Sequence, residues 1–470
     1  MICTKNFILI LKDESLILFQ GGIMKKVLLA ATLAVIASAQ AATVAIIDSG
    51  TDMQHKEIVP HAWINPIEIP GNDRDEDHNG YQDDIYGWNF AEGNNQVIDY
   101  SYLGLLTEDI RKFFEIQTKY FYGTATAEEI QWMRDQVKDQ SFIKRISAYG
   151  NFMHGTHVTG IAIKNTTSKA LAIKLIPTEV KLPGQSLYEG KGNGLKLKIL
   201  KGLMTTLAKQ QIVMMSEIGA YVNFHKADIA NGSFGTGFGQ AKMIVQTIAK
   251  VVMKDITPEQ VEDMARVFMN TLLLEGQKFV NAAPKTLFVF AAGNDGSNND
   301  LYPTFPTNLD APNVISVAAT MEDMTIAPFS NYGIKEVDIA APGVGILSSA
   351  PGNNYLTVSG TSQAAPFVAN IAARVKEANP GLTPAQVKQI LLNTVDKRDF
   401  LVGKVTSEGM VNAERAIRAG ELSNDLSLEM SVDISRQEIV DSGSYITFGP
   451  KSVASKGFVL PLPSNFVITQ

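Results

Sequence analysis

The chain has 470 residues, 45% apolar and 19% charged, which is enough apolar material for one large core and shows no general disorder. A formal net charge of -7 without any block of Lys or Arg gives no footing to a nucleic-acid or anionic-membrane partner. The single cysteine, Cys3, precedes everything that reads as folded, so disulfides, cysteine nucleophiles and Cys-ligated metals drop out.

From Met24 the sequence reads as a signal peptide: Lys25 and Lys26, a short apolar run, then Ala39-Gln40-Ala41 with cleavage after Ala41. A retained N-terminal anchor is the alternative. Residues 1–23 read as an irregular or untranslated extension, 24–41 as the signal, 42–422 as the main domain and 423–470 as a C-terminal tail. The signal predicts export from a bacterial cell, to the periplasm or the medium.

Thr43 to Ile47 is a β-branched apolar run of the kind buried on both faces in a parallel sheet, and it ends in Asp48-Ser49-Gly50. A carboxylate at such a strand end stands where α/β proteins place their chemistry. Glu128 to Ile146 keeps helical spacing behind the capping pattern Thr126-Ala127-Glu128-Glu129. Residues 195–220 and 241–280 read as long helices, the second restarting at Thr257-Pro258-Glu259. Further strands are expected at Leu287 to Ala292 and Val314 to Ala319, and helices between strands predict an α/β fold with a mostly parallel sheet. From Ser423 the helical periodicity fades and Ser, Val and Ile accumulate, which predicts a short strand-rich tail.

Of the six histidines, His154 is flanked by small residues and expected to open an apolar helical stretch, Val158 to Ile163, with an exposed ring. Ser362, in Ser359-Gly360-Thr361-Ser362-Gln363-Ala364-Ala365-Pro366, stands at the start of another apolar helix, where backbone N–H groups favour a developing anion. A plain N-cap is the other reading of that serine.

These blocks resemble the subtilisin-like serine proteases (subtilases, peptidase family S8). That family carries Asp in D-[ST]-G, His in HGTHVAG and Ser in GTS-x-A-[SA]-P, in that order. Here they stand as Asp48-Ser49-Gly50, His154-Gly155-Thr156-His157-Val158-Thr159-Gly160 and Gly360 to Pro366. The resemblance implies a three-layer subtilisin-like fold and a serine endopeptidase with Asp48, His154 and Ser362 as its triad, leaving His157 structural. Ala291 to Gly296 resembles the oxyanion segment, which makes Asn294 the donor beside the Ser362 N–H. Asn231 to Gly235 resembles the substrate-binding strand, so Ser233, Phe234 and Gly235 are expected to pair with peptide backbone. Substrates would be proteins or peptides, and no cofactor is required for the chemistry. A catalytically silent peptide-binding scaffold and an esterase or acyl-transfer enzyme on the same triad are the competing readings.

Asp73, Asp75, Asp77, Asn79 and Asp83 place oxygen ligands at alternating positions around Gly80, as calcium loops do, although Tyr86 stands where an EF-hand has its closing Glu. The segment reads either as a structural calcium site or as a solvated acidic turn. Only Ala42 to Ile47 separate the expected cut from Asp48, so no prodomain fits: either the chain folds unaided, or an inhibitory or chaperone partner or the C-terminal tail restrains it, or the exported form is handled differently. Insertions are expected near 92–150, 178–225 and 241–280, and Thr159 stands where the family usually has alanine.

Overall fold

The computed structural model describes residues 41–179, 193–252, 255–322 and 325–441. Residues 24–40 of the expected signal peptide and the tail after Asp441 lie outside the described residues, as does part of the insertion expected near 178–225. In chain order the first elements are β1 (Thr43–Asp48), β2 (Gly87–Asn89), α1 (Glu108–Phe121), α2 (Ala127–Gln136), α3 (Gln140–Ala162), β3 (Lys169–Lys174), α4 (Asn193–Phe224) and β4 (Ile229–Gly232). Next come α5 (Phe238–Val252), α6 (Pro258–Asn281), β5 (Leu287–Ala291), β6 (Val314–Met321), β7 (Thr325–Ile326), β8 (Ile339–Pro342), β9 (Ile346–Ala350) and β10 (Asn354–Val358). The described chain closes with α7 (Thr361–Ala378), α8 (Pro384–Asn393), β11 (Asp396–Lys397), β12 (Gly409–Met410), α9 (Ala413–Leu422) and α10 (Leu428–Glu438).

Strands β2, β3, β1, β4, β5, β6, β8 and β12 lie side by side in that order, all parallel, with antiparallel β11 on β12 and β7 on β6. The apolar run of β1 is continuous because both of its faces are covered. Val44 and Ile46 join a core with Val158 of α3, Ala365 and Val368 of α7 and Ile390 of α8. Ala45 and Ile47 join a second core with Met204 of α4, Val245 of α5 and Phe268 of α6. Helices on both faces of a parallel sheet make the three layers, and burying each Ile or Val of this kind contributes about 1.5–3 kcal/mol.

The expected helix over 128–146 is two helices. Thr126 and Glu129 do form a capping box, but α2 ends at Gln136 and Asp139 caps a new start, its side chain accepting from the Ser141 N–H. From there α3 runs without a break through His154 to Ala162, so no helix opens at Val158. The restart at Thr257 is present, with its own capping box to Gln260 and Pro258 in the first turn. The strand-rich tail expected from Ser423 is helical over its described part, because Ser427 caps α10 and Val432 turns inward.

The segment near 92–150 builds a third core of its own. Phe113 and Phe114 of α1, Met133 of α2 and Phe142, Tyr149 and Phe152 of α3 pack with Ala350, Leu356 and Val358 from the β9–β10 hairpin.

Candidate active site

Asp48 is the last residue of β1, and in the parallel sheet the C-terminal ends of β1, β4 and β5 adjoin. α3 passes this edge, and His154 Nδ1 lies 2.7 Å from Asp48 Oδ1. A carboxylate oxygen accepts this bond, so Nδ1 donates it and Nε2 is left outside it. Asp48 Oδ1 also accepts the Ser49 N–H at 2.7 Å, while Oδ2 is buried with no partner. The ring expected to be exposed is only 9% exposed, because His154 lies within α3 rather than at a helix start.

Ser362 is the second residue of α7, behind Gly360 at the N-cap, so its own side chain does not cap this helix. The N-cap reading of the serine therefore falls. Its Oγ donates to the Ser233 carbonyl at 3.2 Å, and Ser233 Oγ donates back to the Ser362 carbonyl at 3.0 Å. That second bond exists because of Pro366. In a helix the Ser362 carbonyl would accept from the residue four positions on, and proline has no N–H to give. Asn231 Nδ2 in turn donates to Ser233 Oγ at 2.9 Å, so the chain Asn231, Ser233, Ser362 ties the end of β4 to the start of α7.

Asn294 follows β5. Its Oδ1 accepts from the Thr361 N–H at 3.0 Å and the Thr361 hydroxyl at 2.8 Å, which fixes the amide plane. A methyl built on Gly360 would lie 3.5 Å from Asn294 Nδ2 and 3.7 Å from the Ser362 nitrogen. Both donors thus lie near Gly360, where Gln363 Oε1 is closer still at 2.8 Å from the same methyl, and one of them is an N–H from the first turn of α7, which has no intrahelical partner.

His157 faces away from this group. Its Nε2 donates to the Leu356 carbonyl at 3.0 Å, and burial pushes its pKa down to about 4. Ser233, Phe234 and Gly235 lie beyond the end of β4 and carry no sheet pairing of their own, while the Phe234 ring is core, edge-on to Phe290. Any contact this segment makes with a ligand is therefore through its backbone.

The acidic loop is only partly as expected. Asp83 is taken up internally: Oδ1 accepts the N–H groups of Gly71 at 2.8 Å and Asn72 at 3.3 Å, and Oδ2 that of Asp73 at 2.9 Å. Asp73 does not converge with the rest. Ligand atoms that do converge within 4.8 Å come from Glu68, Asp75 and Asp77, and separately from Asp77, Asp84 and His225. Asn79 Nδ2 donates to Asp84 Oδ2 at 2.9 Å, so it bridges the second set through its amide. Glu68 and His225 reach the loop from outside its motif, and no spacing in the sequence announces them. Asp84 lies within the acidic run but is marked there only by its burial, which periodicity does not reveal in a loop.

A family model described as the subtilase family, peptidase S8, matches residues 39–414. Subtilisin-like protease 2 of Plasmodium falciparum is 28% identical over 268 residues, covering 56% of this chain and 17% of that protein. Alkaline elastase YaB of a Bacillus species is 41% identical over 138 residues, covering 29% of this chain and 34% of the relative. The chain thus matches well under half the length of these relatives. A solved structure described as a lanthipeptide protease is 18% identical, with a TM-score of 0.45, covering 80% of this chain and 88% of that one. Among the described residues no helix is long and apolar enough to cross a membrane. With the family model spanning most of the sequence and the Asp, His and Ser blocks gathered at one edge of a parallel sheet, the chain belongs to the subtilase family.

Proposed function

We propose that this chain is an exported serine endopeptidase that hydrolyses protein and peptide substrates through an acyl-enzyme on Ser362. The observation that carries the reading is the buried 2.7 Å bond between Asp48 and His154, which leaves Nε2 as a base at the edge where α7 presents its first turn. In this reading Ser362 Oγ swings from the Ser233 carbonyl to His154 Nε2, gives up its proton and attacks the scissile carbonyl. Asp48 stabilises the imidazolium, and Asn294 Nδ2 with the Ser362 N–H takes the oxyanion. His154 then hands its proton to the leaving amine, and water clears the acyl group by the same route.

A fluorophosphonate probe tests the nucleophile: the wild type is labelled and Ser362→Ala is not. Folded wild type that takes no label would turn the reading toward a silent peptide-binding scaffold. Incubation with a mixed peptide pool and mass spectrometry of the new termini separates peptide cleavage from an enzyme confined to esters. Export is checked by fractionating expressing cells and sequencing the mature N-terminus, which is expected at Ala42.

We also propose a structural calcium on the acidic loop, held by Glu68, Asp75 and Asp77, whose ligand oxygens converge within 4.8 Å. Oxygen-only donors of this kind suit a hard cation. Ser362→Ala protein is expected to melt higher in calcium than in EDTA, since a ligand bound only by the folded form stabilises it. Asp75→Ala with Asp77→Ala should abolish that difference.

A further inference from the structure

Thr159 and Thr51, five residues after His154 and three residues after Asp48, meet in the interior. Their hydroxyl oxygens are 2.9 Å apart, and both side chains are buried. The geometry fixes which hydroxyl donates. Thr159 Oγ1 gives its one proton to the Gly155 carbonyl at 2.7 Å, so the bond between the two threonines must be donated by Thr51. The result is a directed chain from Thr51 through Thr159 to Gly155, the residue next to His154.

Two other links join the same pieces. The Gly155 N–H donates to Ser49 Oγ at 3.2 Å, and the Asp52 N–H donates to Thr156 Oγ1 at 2.9 Å. Contact is so close that a methyl on Gly155 would stand 2.2 Å from the Gly50 carbonyl oxygen. The turn after Asp48 and the helix turn after His154 are therefore held face to face by three side-chain bonds that follow the Asp48–His154 pair along both segments.

We propose that the Thr51–Thr159 hydroxyl pair is a positioning device for the Asp48–His154 couple, setting the register of α3 against the turn that carries the carboxylate. The inference rests on the proteolytic reading above. It predicts a loss in the chemical step rather than in substrate binding, because neither hydroxyl points to a ligand and what is disturbed is the alignment of reacting groups.

The experiment uses the full chain with Thr51→Val, Thr159→Val, the double variant and Thr159→Ser. Valine keeps the shape and removes the hydroxyl. Thr159→Val strands the Thr51 donor and should lower the unfolding midpoint, whereas the double variant removes both partners and should recover it. If the pair only stabilises the fold, kcat recovers with the midpoint. If it positions the couple, the double variant keeps a kcat lowered roughly five- to fiftyfold with KM unchanged, below the ~10²-fold a full ångström of misplacement brings. Thr159→Ser should restore turnover, since the serine hydroxyl can accept from Thr51 and donate to Gly155. A double variant with wild-type kcat, or a Thr159→Ser that stays as slow as Thr159→Val, would overturn the proposal. Wild-type protein that neither cleaves peptides nor takes the fluorophosphonate probe would overturn the proteolytic reading and this inference with it.

Discussion

Ser233 and Pro366 show how a single missing donor shapes the site. Pro366 leaves the Ser362 carbonyl without its helical partner, and the Ser233 hydroxyl fills the vacancy at 3.0 Å. Ser233→Ala should leave that buried carbonyl unpaired and cost about 1–3 kcal/mol in denaturant unfolding, with Pro366→Ala partly restoring the double variant by returning an N–H. Loss of the Asn294 donor by Asn294→Leu should lower kcat by roughly 10²–10³ with little change in KM, a magnitude whose source is the subtilase family itself. His157 gives the pH dependence. Its folded pKa of about 4 lies below the ordinary histidine value because burial disfavours the charged ring. The unfolded chain therefore binds the extra proton first, so the contribution is complete above roughly pH 6.5 and is lost as pH falls toward 4. Asp228 and Glu336, raised mainly by burial, act in the opposite sense, so the comparison must be internal. Unfolding midpoints of the Ser362→Ala protein should drop between pH 7 and pH 4.5, and His157→Gln should flatten that drop. An unchanged slope in the glutamine variant would exclude His157 as the source.

At the scale of elements, strands, caps and the long helix over 195–220 were legible, and the unbroken run of α3 through His154 was not. β1, β5 and β6 could be read because a strand covered on both faces must be apolar throughout, and the capping boxes at Thr126 and Thr257 could be read because their residues are local. The burial of His154 could not be read. It follows from α3 starting at Gln140, well ahead of the HGTH block, and that start is stabilised by packing against α1 and the β9–β10 hairpin. The same helical segment reaches the serine side of the site. Tyr122, just past the end of α1, donates to the Val344 carbonyl at 3.3 Å, and the neighbouring Gly343 carbonyl accepts the Gly360 N–H at 2.8 Å. A cavity in this third core should therefore be felt at a distance. Phe113→Ala, at a fully buried ring, is expected to cost about 3–5 kcal/mol. Activity should fall with temperature earlier than in the wild type, as read by residual turnover after graded heating.

For the molecule as a whole, the parallel sheet supplies an edge where β1, β4 and β5 deliver Asp48, Ser233 and Asn294 together, and the last described helix, α10, is fastened to the fold by one side chain. Arg415 of α9 is 1% exposed, a fully buried guanidinium. It donates to the carbonyls of Thr394 at 3.1 Å, Val395 at 2.9 Å and Ile439 at 2.9 Å, and to Asp441 Oδ1 at 2.6 Å, with Asp396 at 3.3 Å. One side chain thus clasps the end of α8, the edge strand β11 and the exit of α10. A buried charge is tolerated only where its donors are met, and here every arm of the fork has an oxygen to meet. Arg415→Met keeps the bulk but leaves three carbonyls and Asp396 without that donor, a change expected to cost about 3–5 kcal/mol. The loss should be local first, because α10 packs on α8 and α9 rather than on the sheet edge that carries Asp48. Hydrogen exchange should accelerate over 428–441 while β1, β4 and β5 keep their protection, and turnover per folded molecule should hold. Uniform acceleration across the sheet would instead make Arg415 part of the global core and α10 inseparable from it.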